Sequence, residues 1–426
     1  MHRTENRIVN YGLHSIVLCA SPHRMKQNNS FLGASASALL AVAAVASPSA
    51  HAQSSLTFYG VADDAISYVN NQHGHANLYL RQGNLYASKF GLKGDEMLGG
   101  GTHAIFVLES GFDLNEGEAA SSGSIFNRQA YVGLSNDRYG TGTLGRQYTP
   151  YFLFVGPLSS VGSLTGAAGA HPGDLDGMDT TVRASNAALY VSPQWHGLQA
   201  AGMYALGGVA GSIGSGQTMS VALRYAHGPL ALAAGYLRMD NALTSTANTE
   251  GSTSAAFDST STGSFGVSEV NEGYVTARSM RDVAMAGSFT FGPTRVGLMY
   301  SNVRYLPGAR SLFADTASFN TYGAFARWQV EADVNLAAGV SYTMASKGNG
   351  VAHAARYAQL SLKQGYRLSK RTELYALEAW QHASGQTLDS TGQVVNAAPA
   401  VGDSQNLTGS STPTQIVAML GIDMSF

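Results

Sequence analysis

Three carboxylates lie close together in the segment Asp174-Leu-Asp176-Gly-Met-Asp179, where a bound cation would be the first chemistry to consider. Calcium prefers oxygen ligands, and helix–loop–helix calcium sites supply them from a fixed twelve-residue loop that ends in Glu. This segment has neither the full spacing nor the terminal Glu. We therefore interpret it as an acidic loop and predict no metal site there.

The other residues capable of catalysis carry no motif. Ser, His and Asp are plentiful, but no Gly-x-Ser-x-Gly turn and no phosphate-binding loop is present. The pair His73-Gly-His75 could form a weak metal site, yet it falls in a segment predicted to be an exposed loop. We predict that the protein is not an enzyme and needs no cofactor.

The elements that would position these residues repeat one pattern, which is alternation of apolar and polar residues over segments of about 10 to 13 residues. Such period-two alternation predicts β-strands with two different faces. Sixteen segments show it, at residues 56–68, 84–94, 102–113, 125–135, 140–148, 184–193, 197–207, 217–227, 229–239, 281–291, 294–305, 319–331, 333–344, 354–366, 371–382 and 414–426.

The connections between these strands alternate between short and long. Short turns use Gly and Pro, as in His227-Gly-Pro229 and Phe291-Gly-Pro293. The long connections, rich in Gly, Ser, Thr and Asn, are predicted at 70–83, 114–124, 149–182, 240–280, 306–318 and 383–413. An even number of strands with this alternation predicts an all-β fold, a 16-stranded antiparallel transmembrane β-barrel with short periplasmic turns and long extracellular loops. A soluble secreted β-protein is the alternative.

The barrel interpretation also explains the last segment, which alternates up to Phe426. In a closed barrel the last strand pairs with the first, so every backbone polar group is satisfied without water. Aromatic residues favour the membrane–water interface. We therefore expect Phe426 to lie in an interfacial girdle at the end of the final strand.

Targeting signals occupy the start of the chain. A basic residue after Met25, a short apolar run and Ser49-Ala-His-Ala52 resemble a secretory signal peptide with a cleavage site before Gln53. We divide the chain into residues 1–52, a signal peptide with an upstream extension, and residues 53–426, the barrel. Met25 is a candidate true start.

Removing residues 1–52 changes the charge and leaves no cysteine. Basic residues fall from 25 to 21 and acidic residues from 27 to 26, which leaves a formal charge of −5. This balance argues against a nucleic-acid partner. Cys19 is the single cysteine, so the remaining chain cannot rely on disulfides.

Several stretches together resemble the trimeric Gram-negative general porins, particularly the beta-proteobacterial type. The resemblance runs from about residue 54 to residue 426. The matching stretches are 55–63 (SLTFYGVAD), 88–101 (SKFGLKGDEMLGGG), 126–134 (FNRQAYVGL), 140–148 (GTGTLGRQY), 183–186 (RASN) and the terminal Phe426, which the resemblance implies is a C-terminal assembly signal.

The resemblance implies a water-filled channel in the cell outer membrane, assembled as a homotrimer, through which small hydrophilic solutes and ions diffuse passively. It also implies that the third long loop folds into the pore, where its carboxylates face basic side chains on the opposite wall. Outer-membrane lipid, and lipopolysaccharide at the loop side, are the other expected partners. The alternatives are a substrate-selective channel, a barrel enzyme and an adhesin.

The resemblance also implies which residues form this constriction. The constricting loop would be 149–182, with Asp174, Asp176 and Asp179 as candidate carboxylates although the loop lacks the Pro-Glu-Phe-Gly signature of the enteric porins, and Asp63 should also face the lumen. The basic wall would comprise Lys89, Arg128, Arg146 and Arg183. An alternative role for these cations is in rim charges or ion pairs within the wall.

Two further features of the chain concern the pore wall and its loop. Family members often carry Arg where this chain has Lys89, and Asp64 adds a carboxylate on the nominally lipid-facing alternation. The aromatic residues Tyr151, Phe152 and Phe154 open the third loop. We expect them to pack the loop against the wall, with a sugar-stacking path as the alternative.

Overall fold

The computed structural model describes residues 54–121, 123–160, 166–179, 182–241, 267–402 and 409–426. The predicted signal peptide, residues 1–52, lies outside the described residues. One closed antiparallel sheet contains strands β1 Ser54–Gln72, β2 His75–Gln82, β3 Lys89–Gly99, β4 Thr102–Gly111, β5 Gln129–Asn136, β6 Gly140–Tyr148, β7 Arg183–Val191, β8 Leu198–Ala205, β9 Thr218–His227, β10 Leu230–Asp240, β11 Ser279–Phe291, β12 Thr294–Leu306, β13 Ala317–Gln329, β14 Val334–Ala345, β15 Arg356–Arg367, β16 Thr372–Ser384 and β19 Thr414–Ser425. Strands β17 Gln386–Leu388 and β18 Val394–Asn396 form a separate hairpin.

The barrel closes where the first strand meets the last. Strand β1 pairs with β19 in antiparallel register, from Val61 opposite Ser425 to Val69 opposite Val417. Beyond the ladder, the N–H of Phe426 donates to the carbonyl of Gly60 at 3.0 Å, and the N–H of Gly60 donates back at 3.1 Å. No sheet edge is left open at this seam, as a membrane barrel requires. The predicted closed, 16-stranded antiparallel barrel is confirmed.

Two strands share the second position of the barrel, so seventeen described strands fill sixteen positions. The first part of β1 pairs with β3, and its last part pairs with β2. Residues 83–88 separate the two strands. The prediction of a long loop at 70–83 is therefore wrong. His73 and Gly74, both with positive φ (49° and 100°), form a tight turn, and β2 follows directly.

The two faces of each strand differ as the alternation predicts. On β11, Val283, Met285 and Phe289 are exposed on the outside, whereas Asp282 and Ser288 are buried on the inside. Residues that pair directly across an antiparallel ladder share a face. The barrel register therefore assigns each strand residue to the lipid side or to the lumen.

Helix α1 (Pro150–Val155) opens the third long loop. Thr149 caps it, because its hydroxyl accepts the Phe152 N–H at 3.3 Å. The described residues contain no helix that is long and apolar enough to cross a membrane.

The described part of loop 149–182 lies against the inner wall. Tyr151 and Phe154 are 1% and 6% exposed, in a core shared with inward residues of the wall strands. Further along, the Gln359 amide on β15 donates to the Ala170 carbonyl at 2.7 Å. Packing of Tyr151 and Phe154 against the wall thus agrees with the expectation from their position at the start of the loop.

Candidate pore constriction

A buried carboxylate on β4, Glu109, holds two of the predicted basic residues. Its Oε1 accepts from Arg128 Nε at 3.0 Å, and its Oε2 lies 3.8 Å from Lys89 Nζ. The Tyr59 hydroxyl donates to the same Oε2 at 3.0 Å. Glu109 pairs across the ladder with Gly91 and Gln129, so all three belong to the inward face. Sequence reasoning missed Glu109, although it lies on the inward alternation of a predicted strand.

Tyr148, at the end of β6, links Arg128 to Arg183. Arg128 Nη2 donates to the Tyr148 hydroxyl at 2.7 Å. The Arg183 guanidinium lies 5.4 Å from the centre of the Tyr148 ring, within range of a cation–π contact. Three of the four predicted basic residues, Lys89, Arg128 and Arg183, therefore meet in one cluster on the wall formed by β3 to β7.

Arg146 is placed differently. Arg146 pairs with Ala130 on β5, and it lies two residues from Leu144, which is exposed on the outward face. The pairing of β6 with β7 is irregular between Gly145 and Gln147, on either side of Arg146. Its guanidinium donates to the Asn127 carbonyl at 2.6 Å and to the Ser185 hydroxyl at 2.7 Å. Asn127 lies two residues before β5, and Ser185 is the third residue of β7. Its part in a basic wall remains a prediction.

The loop carboxylates are largely turned away from open space. Asp176 is fully buried, and its Oδ2 contacts His171 Nδ1 at 2.8 Å and accepts from the Ser301 hydroxyl at 2.6 Å. Burial opposes ionisation of Asp176, but the attraction of His171 and these hydrogen bonds keep its pKa below the ordinary value. Asp176 therefore fastens the loop to β12.

The other two carboxylates lie in one turn of the loop. Asp174 is buried with a positive φ of 47°, and its Oδ1 accepts the Asp179 N–H at 3.0 Å. Asp179 itself is half-buried. Of the three predicted loop carboxylates, Asp179 retains the greatest access to solvent, and the role of each in a constriction remains a prediction.

Asp63 lies on the inward face of β1, where it binds the segment 83–88 that interrupts the second barrel strand. Its Oδ2 accepts the N–H groups of Leu85 and Tyr86 at 2.6 and 2.8 Å, and its Oδ1 accepts the Tyr375 hydroxyl. The Asn84 carbonyl in turn accepts the Ala167 N–H from the third loop at 2.8 Å. A network of hydrogen bonds thus joins Asp63 to the third loop through this segment.

Inward cations on the opposite wall were missed by sequence reasoning. Arg295 and Arg327 are directly paired on β12 and β13. Arg224 lies 4.8 Å from the centre of the Phe154 ring. Lys363 Nζ contacts Glu373 Oε1 at 2.6 Å. All of these residues lie near the short-turn ends of their strands, on the alternation that faces inward. That position in the alternating pattern could have identified them from the sequence.

Two cavities adjoin these charges. One, of about 660 Å³, lies toward the short turns and is lined by Tyr86, Arg367, Glu373 and Asp423 among others. The second, of about 290 Å³, is lined by residues that include Arg128. Charged groups of both signs thus line these two cavities.

Comparison with known proteins agrees with this architecture. Residues 36–386 match the family model described as Gram-negative porin. The chain is 30% identical over 225 residues to an outer membrane porin protein of Bordetella pertussis, covering 46% of this chain and 58% of that protein. It is 32% identical over 223 residues to outer membrane porin protein 32 of Delftia acidovorans, covering 48% and 60%. The chain thus spans about three-fifths of the length of these two curated relatives.

Among solved structures, the anion-selective porin from Comamonas acidovorans superposes with a TM-score of 0.64. The alignment covers 88% of this chain and all of that one, at 21% sequence identity, so the likeness concerns the fold. Since the family model extends from the segment before the first strand to β17, the chain belongs to the Gram-negative porin family and is a β-barrel of the outer membrane.

Proposed function

We propose that this protein forms a water-filled channel through which small hydrophilic solutes and ions diffuse passively. The observation that carries the proposal is the distribution of charge on the inward face of a closed barrel. Glu109 with Lys89 and Arg128 lies on one wall, and Arg295 with Arg327 lies on another. A lumen lined in this way favours hydrated, polar solutes over apolar ones.

Selection in such a channel rests on size and charge, with no chemical step. Opposed charges across a narrow aqueous gap create a transverse field, which favours dipolar solutes over apolar ones of equal size. The family and the fold point to a channel rather than an enzyme.

Two groups of inward cations favour anions. Glu109 is shared between Lys89 and Arg128, so one carboxylate meets two cations. Arg295 and Arg327 face each other as like charges, which repel and favour a negative ion between them. The anion-selective Comamonas porin, which shares the fold, supports the same sign.

A homotrimer is supported by polar residues on the outward face. Glu378 lies at the middle of β16 on the alternation of exposed residues, and the Gln364 amide donates to it at 3.0 Å. Asp64 and Gln82 pair on the same outward face, across β1 and β2. A charged side chain facing lipid at mid-depth costs about 2–4 kcal/mol for a cation and less for a carboxylate. Contact with neighbouring subunits would cover these polar groups.

The trimer is measured from the mass of the detergent-solubilised protein before and after heating. A mass three times that of the monomer, lost on heating, agrees with the proposal, whereas a monomer at all concentrations contradicts it.

Mass spectrometry of the same protein from outer membranes tests the proposed cleavage of the signal peptide. The expected first residue is Gln53.

Conductance in a planar bilayer tests the channel directly. We expect open steps that scale with salt concentration, and a reversal potential in a potassium chloride gradient with the sign of chloride preference. No conductance from a folded, heat-modifiable barrel contradicts the proposal and favours a barrel enzyme, a plugged channel or an adhesin. Saturation by one solute favours a substrate-selective channel instead.

A further inference from the structure

Three carboxylates lie side by side on the inward face of the barrel near the short turns, and we call them the carboxylate row. Asp423 on β19 pairs across the ladder with Asp63 on β1 and with Glu373 on β16. Side chains paired in this way are close enough to interact, and like charges directly opposite each other are destabilising. The row therefore favours a positive group beside any member that lacks a partner of its own.

Two members of the carboxylate row have such partners. Asp63 accepts three hydrogen bonds, from two backbone N–H groups and one tyrosine hydroxyl. Glu373 contacts Lys363 Nζ at 2.6 Å and Arg367 Nε at 3.8 Å. The central member, Asp423, is 8% exposed, and its carboxylate makes no hydrogen bond or ion pair in the part of the chain that the structure describes. Because a buried charge without a partner is costly, a cationic group of a ligand gains most beside Asp423.

The larger of the two cavities, of about 660 Å³, opens beside Asp423 toward the short turns. The exposed ring of Tyr86 lines it, together with the exposed residues Lys370 and Arg371 from the turn between β15 and β16. The whole lining holds three acidic and three basic residues. Neither a free cation nor a free anion is therefore favoured throughout the cavity, whereas a molecule that carries both charges is.

Opposite charges approach each other at this cavity without pairing. The Ser425 N–H donates to the Arg371 carbonyl at 2.8 Å, so Arg371 lies opposite Ser425, two residues from Asp423. Diagonal neighbours across such a ladder lie about 7–8 Å apart. Among the described residues, however, Asp423 makes no ion pair with Arg371. A small molecule with an ammonium group and a carboxylate can bridge the two side chains.

We propose that this cavity binds a zwitterionic α-amino acid on its way through the barrel. The ammonium group of the amino acid binds Asp423, and its carboxylate binds Arg371 and Lys370. An apolar side chain packs on the exposed ring of Tyr86. A metal ion is a poorer occupant because the two cations repel it, and a simple anion is poorer because the carboxylate row repels it. The inference rests on the proposed channel function and adds a preference for one class of solute, while other solutes and ions still diffuse.

Equilibrium dialysis of radiolabelled leucine against the detergent-solubilised protein tests the site. N-acetyl-leucine keeps the carboxylate but lacks the ammonium group, and leucinamide keeps the ammonium group but lacks the carboxylate. Each analogue loses charge-assisted hydrogen bonds, so we expect each to compete about tenfold more weakly than unlabelled leucine. Equal competition by either analogue would overturn the assignment to a zwitterion, and no binding of leucine would refute the site.

Two variants assign each charge of the amino acid to its partner. Asp423→Asn should weaken binding of leucine about tenfold without weakening binding of N-acetyl-leucine. Arg371→Gln should weaken binding of leucine and of N-acetyl-leucine several-fold and leave leucinamide unaffected. A merely structural role would weaken all three probes together, which would overturn the assignment. Glu331→Gln is the matched control with unchanged affinity, because Glu331 is an exposed carboxylate at the next short turn and does not line the cavity.

Heat-modifiability and conductance in the absence of leucine are recorded for every variant, so that failure to fold or to conduct is distinguished from failure to bind. If Asp423→Asn does not fold, Arg371→Gln still tests the site, because Arg371 is exposed in a turn. A protein that conducts but does not bind leucine refutes the site and leaves the channel proposal untouched. A folded barrel that binds leucine but does not conduct refutes the channel proposal and leaves the site.

Discussion

Replacing Glu109 by Gln is the sharpest test of the inward charge cluster. The side chain of Glu109 is 3% exposed, and that of Arg128 is 4% exposed. The change keeps the volume and one hydrogen-bond acceptor, but it removes the negative charge shared by Arg128 and Lys89. We expect both a loss of stability and a shift of ion preference toward anions.

The size of each effect follows from the geometry. Removing one member of a buried ion pair costs about 3 kcal/mol or more, and the retained acceptor of Gln should keep the loss near about 3 kcal/mol. For selectivity, a unit charge acts on an ion about 7 Å away with about 0.6 kcal/mol in water, and we take this separation for Glu109 and a passing ion. Screening at 0.1 M salt halves this to about 0.3 kcal/mol. Because cations and anions respond oppositely, their permeability ratio should change about threefold.

Reversal potentials across a bilayer, measured at 0.1 M and 1 M salt, provide the assay. The shift toward anions should be largest at low salt and small at 1 M, because the Debye length is then about 3 Å. Glu116→Gln is the matched control, since Glu116 is an exposed carboxylate in the loop between β4 and β5. An unchanged reversal potential in folded Glu109→Gln at low salt would show that Glu109 does not face the ion path, and the reasoning would be wrong.

Three further predictions concern the loop, the inserted segment and the seam. Asp176→Asn should lower thermal stability at neutral pH. Because the pKa of Asp176 is depressed, its contribution is full above the ordinary carboxyl value and is lost as pH falls through the folded-state value. The difference in melting temperature from wild type should therefore narrow in strong acid, and a gap constant with pH would contradict this. Asp63→Ala leaves the N–H groups of 83–88 without their acceptor and should destabilise the protein by about 1–3 kcal/mol, measured by heat-modifiability in urea. Phe426→Ala removes the ring that lies 5.6 Å from Phe58, and we expect less folded barrel in outer membranes; an unchanged yield would argue against an assembly role for the ring.

The barrel itself could be predicted from sequence because alternation is a local property. Each transmembrane strand needs one apolar face, and the pattern in β11 or β19 shows it within a dozen residues. The second barrel position could not be predicted this way. β2 has only 8 residues, and the segment 83–88 between β2 and β3 is held by Asp63, a partner about twenty residues earlier.

The candidate constriction was only partly predictable for a related reason. Family motifs identify Lys89, Arg128 and Arg183, which the fold brings together around Tyr148 and Glu109. Which carboxylate each cation meets depends on the register of distant strands, and alternation alone does not give it. Likewise, a spacing of acidic residues does not reveal that Asp176 is buried against Ser301 on β12.

The seam between β1 and β19 has a consequence for how the protein is made. Val61 pairs with Ser425, which follows it by 364 residues (425 less 61). Until the last strand is present, β1 has an unsatisfied edge, and exposed edges recruit other chains. Pairing over so long a separation is also slow to form. We therefore expect the chain to be most prone to aggregation before its last strand has paired with β1.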